Sequence, residues 1–549
     1  MTHSLPRPRL APGAEAVALV ALCLIAIFVG LAAAGWRSSG PLPADGGMLV
    51  EGVAGERPGA INPLFAGASG PDADLTRLIF AGLTRLGPNG QVQPDLAQSW
   101  VVSADGRDFT FLLRPDARWQ DGAPVTADDV LFTARAFSAP GVKGDPATAE
   151  VWRRAQVQKL SNDAVLFHFD APFTPFLAYS TVGLLPEHIL GRDTPTQLVN
   201  DPFNQHPIGA GPYRLTRLTA NEADLQRVPG YPLGTPYIER IRLRFLPDLG
   251  AIEAALRSHA IDSAVLPAPV APSDLDALRA TGHAIYSGLR PAYTLVYLNL
   301  AAAQFQDAAV RRALSLAVDR NALVQQVMDG QATPSDVPLP PGSYTGASDA
   351  PPTANVAMAK QLLAAAGWTP GPDGVLRKGE IALSFTLDTT PDTQRLALAR
   401  NLAQQWAAIG ARVTVQTMDA TTLLDAVLLP QKFEAVLYGW DPGPDLDPFP
   451  AWHSSQRGGG GRNLSGYANS RVDQLLEAAR EAPDAAGRAA IYGAFADQFR
   501  QDMPAIVLFF PRYLYAAPAK LENVQLGLLA STADRFAAIE RWSLHSRRN

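Results

Sequence analysis

PDLAQSWVVSADGRDFTFLLRPDARWQDGAPVTADDVLFTARAF, residues 94–137, is the stretch from which the fold of this chain follows most directly. Two runs of β-prone residues, 100–102 and 109–113, flank an Asp105-Gly106 turn signal and predict an antiparallel hairpin. Thr126, followed three residues later by Asp129, forms a capping-box pattern ahead of an apolar run. The stretch therefore predicts a hairpin followed by a helix.

Toward the C-terminus, the apolar pattern alternates between helical and strand periods. Asp307 and Asp319 are predicted to cap two successive helices, the second of which ends near Gly330. Further helix and strand signals follow at 355–366, 381–387, 393–409, 413–415, 423–429 and 433–438. This alternation favours βαβ units and a mixed, largely parallel sheet in this half of the chain.

Toward the N-terminus, residues 16–36 form an uncharged apolar stretch that is long enough to cross a bilayer. Arg7 and Arg9 precede it, and this charge bias predicts a cytoplasmic N-terminus and an extracytoplasmic body. A Gly-, Pro- and Ser-rich tether is predicted at 37–47, with ordered sequence beginning near Met48.

The apolar stretch itself has three interpretations. We expect an uncleaved membrane anchor, because the stretch is longer than the core of a usual signal peptide. The alternatives are a signal peptide cleaved after the small residues 32–34, and lipidation of Cys23. Cys23 is the only cysteine, so the exported body has no disulfide and no cysteine-based metal site.

Length and composition limit the possible functions. A chain of 549 residues exceeds one ordinary hydrophobic core, so two or more lobes with a cleft between them are expected. The net charge is −6 without a basic stripe, which argues against nucleic-acid binding. Neither a His-Glu-x-x-His helix nor a Gly-x-Ser-x-Gly elbow is present, so no catalytic or metal-binding motif assembles.

The stretch 94–137 closely resembles the signature segment of the family 5 extracytoplasmic solute-binding proteins, the peptide, dipeptide and nickel receptors of ABC importers. Further segments resemble the family in the same order along the chain: PIGAGPY at 207–213, YLN at 297–299, LYGW at 437–440 and NLSGY at 463–467. The resemblance extends over nearly the whole predicted extracytoplasmic body.

The resemblance implies an α/β, two-lobed, periplasmic-binding-protein-like fold with an extra inserted domain, preceded here by one N-terminal transmembrane helix. The expected division is a cytoplasmic tail at 1–15, a transmembrane anchor or signal segment at 16–36, the tether at 37–47, lobe I at 48–80 with 205–290 and 515–549, the inserted smaller domain at 81–204, and lobe II at 291–514. Such lobes close around a ligand, and hinge strands absorb the motion.

The Gly-Trp segment carries the main expectations about the site. In the family's peptide receptors, an aspartate three residues beyond this tryptophan holds the ligand's amino group, and here that position is Gly443. Asp441 and Asp445 flank it, and either one is a candidate to replace the missing acid. Asp441 is equally suited to capping the turn that starts at Pro442. Trp440 is expected either to stack on the ligand or to pack in the core.

Other ligand contacts are expected from position alone. They are Val53, Ala54 and Arg57 in the loop after the first strand, and Tyr293 and Tyr438 near the lobe boundary and the Gly-Trp segment. The alternative for the early loop is an ordinary surface loop in which Arg57 pairs with a surface acid. Trp452 is more typical of a core residue, and His453 is the one histidine worth testing against a nickel-type ligand.

From the sequence we expect a monomeric solute-binding subunit of an ABC importer. It would capture oligopeptides or peptide-like solutes and present them to the permease, with no cofactor, no metal and no catalytic residue. One alternative within the family is a receptor for a nickel chelate or another non-peptide solute. Two alternatives of other classes are a membrane-anchored hydrolase acting on peptides or cell-wall material, and a sensor without an importer.

Overall fold

The computed structural model describes residues 42–547 apart from 68, 140–144, 268, 344, 346–352 and 459–460. The predicted cytoplasmic tail and membrane segment, at 1–15 and 16–36, lie outside the described residues. Within the part of the chain that is described, no helix is both long enough and apolar enough to cross a membrane.

The first lobe begins near the N-terminus and supplies the strands at one end of a large mixed sheet. Its first elements are β1 (Leu42–Ala44), β2 (Met48–Ala54), α1 (Pro71–Ile79), β3 (Thr84–Leu86) and β4 (Val92–Pro94). The chain then leaves this sheet and builds a smaller one before it returns.

The smaller sheet contains the predicted hairpin. Its elements and the helices around it are β5 (Ala97–Val102), β6 (Asp108–Leu113), α2 (Ala127–Ser138), α3 (Pro146–Arg154), β7 (Gln156–Lys159), β8 (Ala164–His168), α4 (Phe176–Tyr179), α5 (Glu187–Leu190) and α6 (Pro195–Leu198). β5 and β6 pair antiparallel, with Trp100 opposite Phe111, so the hairpin is confirmed. α2 begins where predicted, because the Asp129 carboxylate accepts a 2.8 Å hydrogen bond from the Thr126 backbone N–H.

The chain then returns to the large sheet through β9 (Tyr213–Leu218), β10 (Glu222–Arg227), β11 (Arg240–Leu246), α7 (Leu249–Arg257), β12 (Ser263–Pro267), α8 (Pro272–Ala280) and β13 (His283–Leu289). The entry into β9 explains the glycines of the 207–213 segment. A Cβ at Gly209 would lie 1.9 Å from the Ile79 carbonyl oxygen, so only glycine allows this approach. The Gly211 N–H donates to the same carbonyl at 2.8 Å and fixes the end of α1.

The second lobe contains β14 (Tyr293–Leu298), α9 (Ala308–Ala317), α10 (Arg320–Val327), β15 (Ala332–Pro334), α11 (Val356–Ala365), β16 (Thr369–Pro370), β17 (Leu376–Lys378), β18 (Ile381–Ala382), β19 (Ser384–Thr389), α12 (Thr393–Ala407), β20 (Arg412–Thr417), α13 (Ala420–Thr422), β21 (Ala435–Trp440), α14 (Phe449–Trp452), α15 (Ser470–Glu481) and α16 (Ala485–Asp502). β19 pairs parallel with both β20 and β21, and α12 forms the crossover, which confirms the predicted βαβ unit. The sheet is mixed because β21 also pairs antiparallel with β14.

Two local expectations in this lobe need correction. The predicted strand at 381–387 is divided into β18 and β19, because Ile381 turns back to pair with Lys378 on β17. The predicted helix at 423–429 is a π-helix, Leu423–Leu428, that continues α13. Neither difference changes the order of the strands in the large sheet.

A single strand, β22 (Ala505–Pro518), joins the sheets of the two lobes. Its first half pairs with β14, where Ala505 lies opposite Tyr297. Its second half pairs with β12 and β13, where Pro518 lies opposite His283. A strand shared in this way is suited to act as a hinge, because small changes along its backbone tilt one sheet against the other.

β14, at the centre of the second-lobe sheet, is buried on both faces. Alternate residues of β14 face opposite cores, so Val296 packs in a cluster with Trp406 while Leu295 packs in another with Phe495. β21 pairs with β14; its first three residues are buried, and it ends at the partly buried Gly-Trp segment.

The two ends of the described chain pair with each other. β1 pairs antiparallel with β23 (His545–Arg547), and Leu42 lies opposite Arg547. Residues 42–44 of the predicted tether at 37–47 therefore form a strand, so the expectation that ordered sequence begins near Met48 is wrong. The cause is a contact between distant segments, which gives this Pro-containing stretch a partner for its backbone groups.

A buried acid beside β4 makes stability depend on pH. Burial raises the pKa of Asp95 from its ordinary value of 3.8 to about 6, although Tyr231 donates a 3.0 Å hydrogen bond to it. The folded protein therefore binds this proton more tightly than the unfolded chain, and stability increases as the pH falls through 6 toward 3.8. We expect the wild type to gain about 1 kcal/mol relative to Asp95→Asn between pH 7 and pH 5.

Urea titrations of both proteins at the two pH values measure this difference. Asp388, whose pKa burial also raises to about 6, is present in both proteins, so its contribution cancels. A difference between the two proteins that stays constant with pH would show that Asp95 is not the titrating group.

Candidate ligand-binding site

A cavity of about 560 Å³ lies between the two lobes. On the first-lobe side it is lined by Thr76 and Arg77 of α1 and by Tyr179 of α4. The facing wall is the segment 440–444 that follows β21, and the segment 530–534 after β22 closes one side. Its volume falls within the range of about 300–1,000 Å³ that is usual for small-molecule sites.

The facing wall is fixed by the end of β21. Trp440 is the last residue of that strand and lies opposite Tyr293 of β14 in the ladder. Its ring is partly buried, and the Arg462 guanidinium lies 5.9 Å from the ring centroid. The end of β21 thus places an aromatic ring at the cavity, an arrangement suited to packing against a ligand.

The turn after Trp440 explains why the expected acid is absent. Gly443 has a φ of +81°, a conformation that residues with side chains adopt only with strain. Asp441 caps this turn, because its carboxylate accepts a 3.0 Å hydrogen bond from the Gly443 N–H. Its side chain is 50% exposed and lines the cavity, with the Arg290 guanidinium 3.8 Å away. Asp441 therefore caps the turn and still has free surface for a cationic group.

The other acids of this segment already have strong partners. Asp445 is buried and forms two hydrogen bonds, of 2.8 and 3.1 Å, with Arg488. Asp447 lines the cavity but is held by Arg480 at 2.7 and 2.8 Å. Of Asp441 and Asp445, the two candidates for a cation partner, only Asp441 faces the cavity.

Tyr179 adds a neutral polar group to the first-lobe wall. Burial, together with the nearby carboxylates of Asp445 and Asp447, raises the pKa of its phenol. The hydroxyl therefore stays protonated at neutral pH and can both donate to and accept from a bound solute. It lies 3.6 Å from the position that a Cβ at Gly443 would occupy, so the two walls approach each other here.

The structure brings only three of the predicted contact residues to this cavity: Trp440, Asp441 and Gly443. The other five lie elsewhere. Val53 is buried in β2, Ala54 is exposed at its end, and the exposed Arg57 donates a hydrogen bond to Gln205. Tyr293 packs against Phe510, and Arg395 lies 5.4 Å from the Tyr438 ring. Ligand roles for these five residues stay predictions.

Trp452 and His453 lie away from the cavity. Trp452 is fully buried and packs edge-on against Phe499 at 4.9 Å. His453 is buried beside Phe449, and its ring nitrogens contact Ser455 at 2.7 Å and Glu477 at 3.3 Å. Within the described ranges, no group of three or more His, Cys, Asp or Glu side chains is arranged to hold a metal ion.

Sequence reasoning missed the first-lobe wall. Thr76, Arg77, Tyr179 and Asp534 all line the cavity, but none stands in a motif. Asp145 also lines it and had a local signal, since it precedes Pro146 and caps α3 by accepting the Thr148 N–H at 2.9 Å. That signal predicts a helix start and contains nothing about a ligand.

Comparison with known proteins agrees with this architecture. Residues 91–461 match the model of the bacterial extracellular solute-binding proteins, family 5 Middle. The chain is similar to the oligopeptide-binding protein AppA of Bacillus subtilis, with 29% identity over 498 residues that cover 89% of this chain and 90% of that protein.

Two solved structures share the fold over almost their whole length. The structure of AppA in complex with a nonapeptide has 28% identity and a TM-score of 0.64, covering 92% of this chain and 100% of that one. The structure of NikZ of Campylobacter jejuni in complex with Ni(L-His) has 26% identity and a TM-score of 0.66, covering 90% of this chain and 99% of that one. The α/β fold is thus the two-lobed, periplasmic-binding-protein-like one, and this chain belongs to family 5 of the bacterial extracellular solute-binding proteins.

Proposed function

We propose that this chain is the extracytoplasmic receptor of an ABC importer and captures oligopeptides or peptide-like solutes in the cavity between its lobes. The observation that carries the proposal is this cavity, which has Trp440 and the Asp441 turn on one wall and α1 on the other. Similarity to AppA, whose structure holds a nonapeptide, supports a peptide as the solute. The receptor itself performs no chemistry, and closure of the lobes signals occupancy to the permease.

The proposed receptor acts as a monomer outside the cytoplasmic membrane. In this proposal residues 16–36 anchor the receptor, and lobe I, the inserted domain and lobe II have the boundaries expected from the sequence. The family is described as extracellular, which supports this location. Ligand must bind the closed state more tightly than the open one, because equal affinity would leave the equilibrium unchanged.

Incubating residues 42–549 with mixtures of tri- to nonapeptides tests the proposal against a hydrolase. A receptor is expected to be stabilised by about 2.7 kcal/mol at a hundredfold excess of ligand over Kd, and the peptides should stay intact. Thermal unfolding and mass spectrometry of the same samples provide the two readouts. Cleavage products, or no stabilisation by any peptide, would contradict the proposal.

Asp441→Ala is expected to weaken binding of peptides with a free amino terminus more than binding of their N-acetylated forms. The difference should be about tenfold, because a charge-assisted hydrogen bond contributes about 1.5–3 kcal/mol. Calorimetric titration of both peptide forms measures it. Asp497→Ala, which removes an exposed acid paired with Arg500, is the control. Equal losses of affinity for both peptide forms would show that Asp441 only caps the turn.

Similarity to NikZ favours a nickel chelate as the second candidate solute. Titration with Ni(L-His), with free histidine as the control, tests it. Because His453 is buried away from the cavity, this candidate predicts the same affinity in His453→Gln as in the wild type. Peptide binding without any Ni(L-His) binding would exclude it.

A further inference from the structure

The outward face of β9, β10 and β11 is strongly basic. These three strands lie at one end of the large sheet, and β9 is its edge. Their inward residues, such as Leu225 and Leu243, are buried in the core of the first lobe, so the alternate residues point outward. The outward positions carry two acids and five arginines. The arginines, which together form the arginine face, are Arg214, Arg217, Arg240, Arg242 and Arg244.

The two acids neutralise only part of this charge. A shift of register in β9 at Thr216 places Arg217 opposite Asp224, on the outward side of the sheet. Asp224 accepts a 2.6 Å hydrogen bond from Arg242, and Glu222 accepts one of 2.6 Å from Arg217. Two of the five arginines are thus paired, and the face keeps an excess of three positive charges.

Arg214 and Arg240 are the most available members of the arginine face. Both are exposed, and neither has an ion-pair partner among the described residues. The chain as a whole has a net charge of −6, so this face has the opposite sign to the rest of the molecule. A negatively charged surface would therefore attract the arginine face and repel most of the remaining protein, which makes the attraction specific in orientation.

The start of the described chain lies beside the arginine face. The Asp45 carboxylate forms a 2.9 Å hydrogen bond with Arg227 at the end of β10. The Arg240 N–H donates to the Gly47 carbonyl oxygen at 3.2 Å, and Met48 lies opposite Arg240 in the parallel ladder of β2 and β11. The segment that leads into β2 is therefore held against the ends of the two strands that carry most of the face.

The length of chain before this point keeps the face near a membrane. Only residues 37–41 separate the predicted anchor at 16–36 from Leu42. Whatever its conformation, a segment of this length spans at most about 20 Å. An anchored body is thus held at a high effective concentration beside the bilayer, so a weak electrostatic attraction is enough to orient it. A separate acidic protein would not be held near the face in this way.

We propose that the arginine face docks on the anionic phospholipid surface of the membrane that holds the anchor. The inference rests on the anchored location in the proposed function and goes beyond it by assigning an orientation. Docking would hold the β9 edge of the sheet against the bilayer. The second lobe, which contains β20 at the other end of the sheet, would stay free to move when the lobes close.

Arginine-specific modification by phenylglyoxal, followed by mass spectrometry, tests this on the full chain in lipid vesicles. Vesicles of phosphatidylcholine alone are compared with vesicles that contain about 30% phosphatidylglycerol. We expect Arg214 and Arg240 to react at least about fivefold more slowly with the anionic lipid, because each arginine near such a surface contributes roughly that factor to docking. In about 1 M salt the difference should disappear, because the Debye length is then about 3 Å.

Two exposed arginines of the second lobe, Arg400 and Arg471, provide the internal control. Neither has an ion-pair partner among the described residues, so both should react at the same rate in the two kinds of vesicle. In an Arg214→Gln/Arg240→Gln variant, the ratio of docked to undocked protein should fall roughly 30-fold, and Arg217 should lose its protection. Arg400→Gln/Arg471→Gln removes the same charge elsewhere and should leave the protection of the arginine face unchanged. Circular dichroism verifies that both variants are folded.

Extraction of the same vesicles with alkaline carbonate separates the inference from the anchor on which it rests. If the chain stays in the vesicles but all four arginines react equally fast with and without phosphatidylglycerol, docking is excluded while the anchored receptor stands. Equal slowing of all four arginines would also overturn the inference, because it would show attraction without orientation. If carbonate releases the chain, the proposed anchor fails and the inference fails with it.

Discussion

Replacing Arg535 by methionine is expected to lower the free energy of unfolding by about 3–5 kcal/mol. Arg535 is buried, and its guanidinium donates to Asp74 at 2.5 and 2.8 Å and to Glu51 at 3.0 Å. Without it, two buried carboxylates lose their common cation. Burial already raises the pKa of Glu51 despite this partner, so the remaining acids must either take up protons or stay charged in a poor environment.

The same contacts tie the cavity wall to the C-terminal segment. Asp74 belongs to α1, which also carries Arg77, and Arg535 follows Asp534, which lines the cavity. Urea unfolding monitored by circular dichroism measures the effect, with Arg541→Met as the control because that arginine is 59% exposed. A loss in Arg535→Met of less than about 1 kcal/mol relative to the control would show that the network is not a stabilising element.

Trp440→Ala is expected to raise the Kd for a bound peptide by roughly 30-fold, equivalent to about 2 kcal/mol. Trp440 forms part of the cavity wall at the end of β21, so alanine removes the aromatic surface on which a peptide would pack. Trp440→Phe keeps an aromatic face and should recover most of the affinity.

Trp452→Phe is the matched control for this effect. Trp452 is fully buried and does not line the cavity, so its replacement should lower stability without changing the Kd of the folded protein. Calorimetric titration of the three variants with one peptide gives the comparison. Unchanged affinity in Trp440→Ala would place the peptide away from the Gly-Trp segment.

Local signals predicted much of the fold. The hairpin and the Thr126 cap within 94–137 depend on residues that are close in sequence, and both are confirmed. The pairing of Leu42 with Arg547 could not be predicted, because a strand at one end of the chain carries no signal for its partner at the other. The division of the strand near Leu383 was missed although its cause is local, because Ile381 pairs with Lys378 across a tight turn in which Gly379 has a φ of +59°.

Only the site residues that belong to a sequence motif could be predicted. The Gly-Trp segment led to Trp440, Asp441 and Gly443, and all three line the cavity. The choice between Asp441 and Asp445 could not be made from the sequence, because Arg488, the partner that holds Asp445, lies on a distant helix. Arg77 was missed because it stands in no sequence motif, and only the folded structure shows that it lines the cavity.

We propose that the two lobes close around a solute and are held closed by it. Small-angle X-ray scattering of residues 42–549, with and without a saturating peptide chosen from the thermal screen, tests this directly. We predict that the radius of gyration falls when the peptide is bound and returns when it is removed by dialysis. An unchanged scattering profile at a concentration where calorimetry shows full occupancy would contradict the claim.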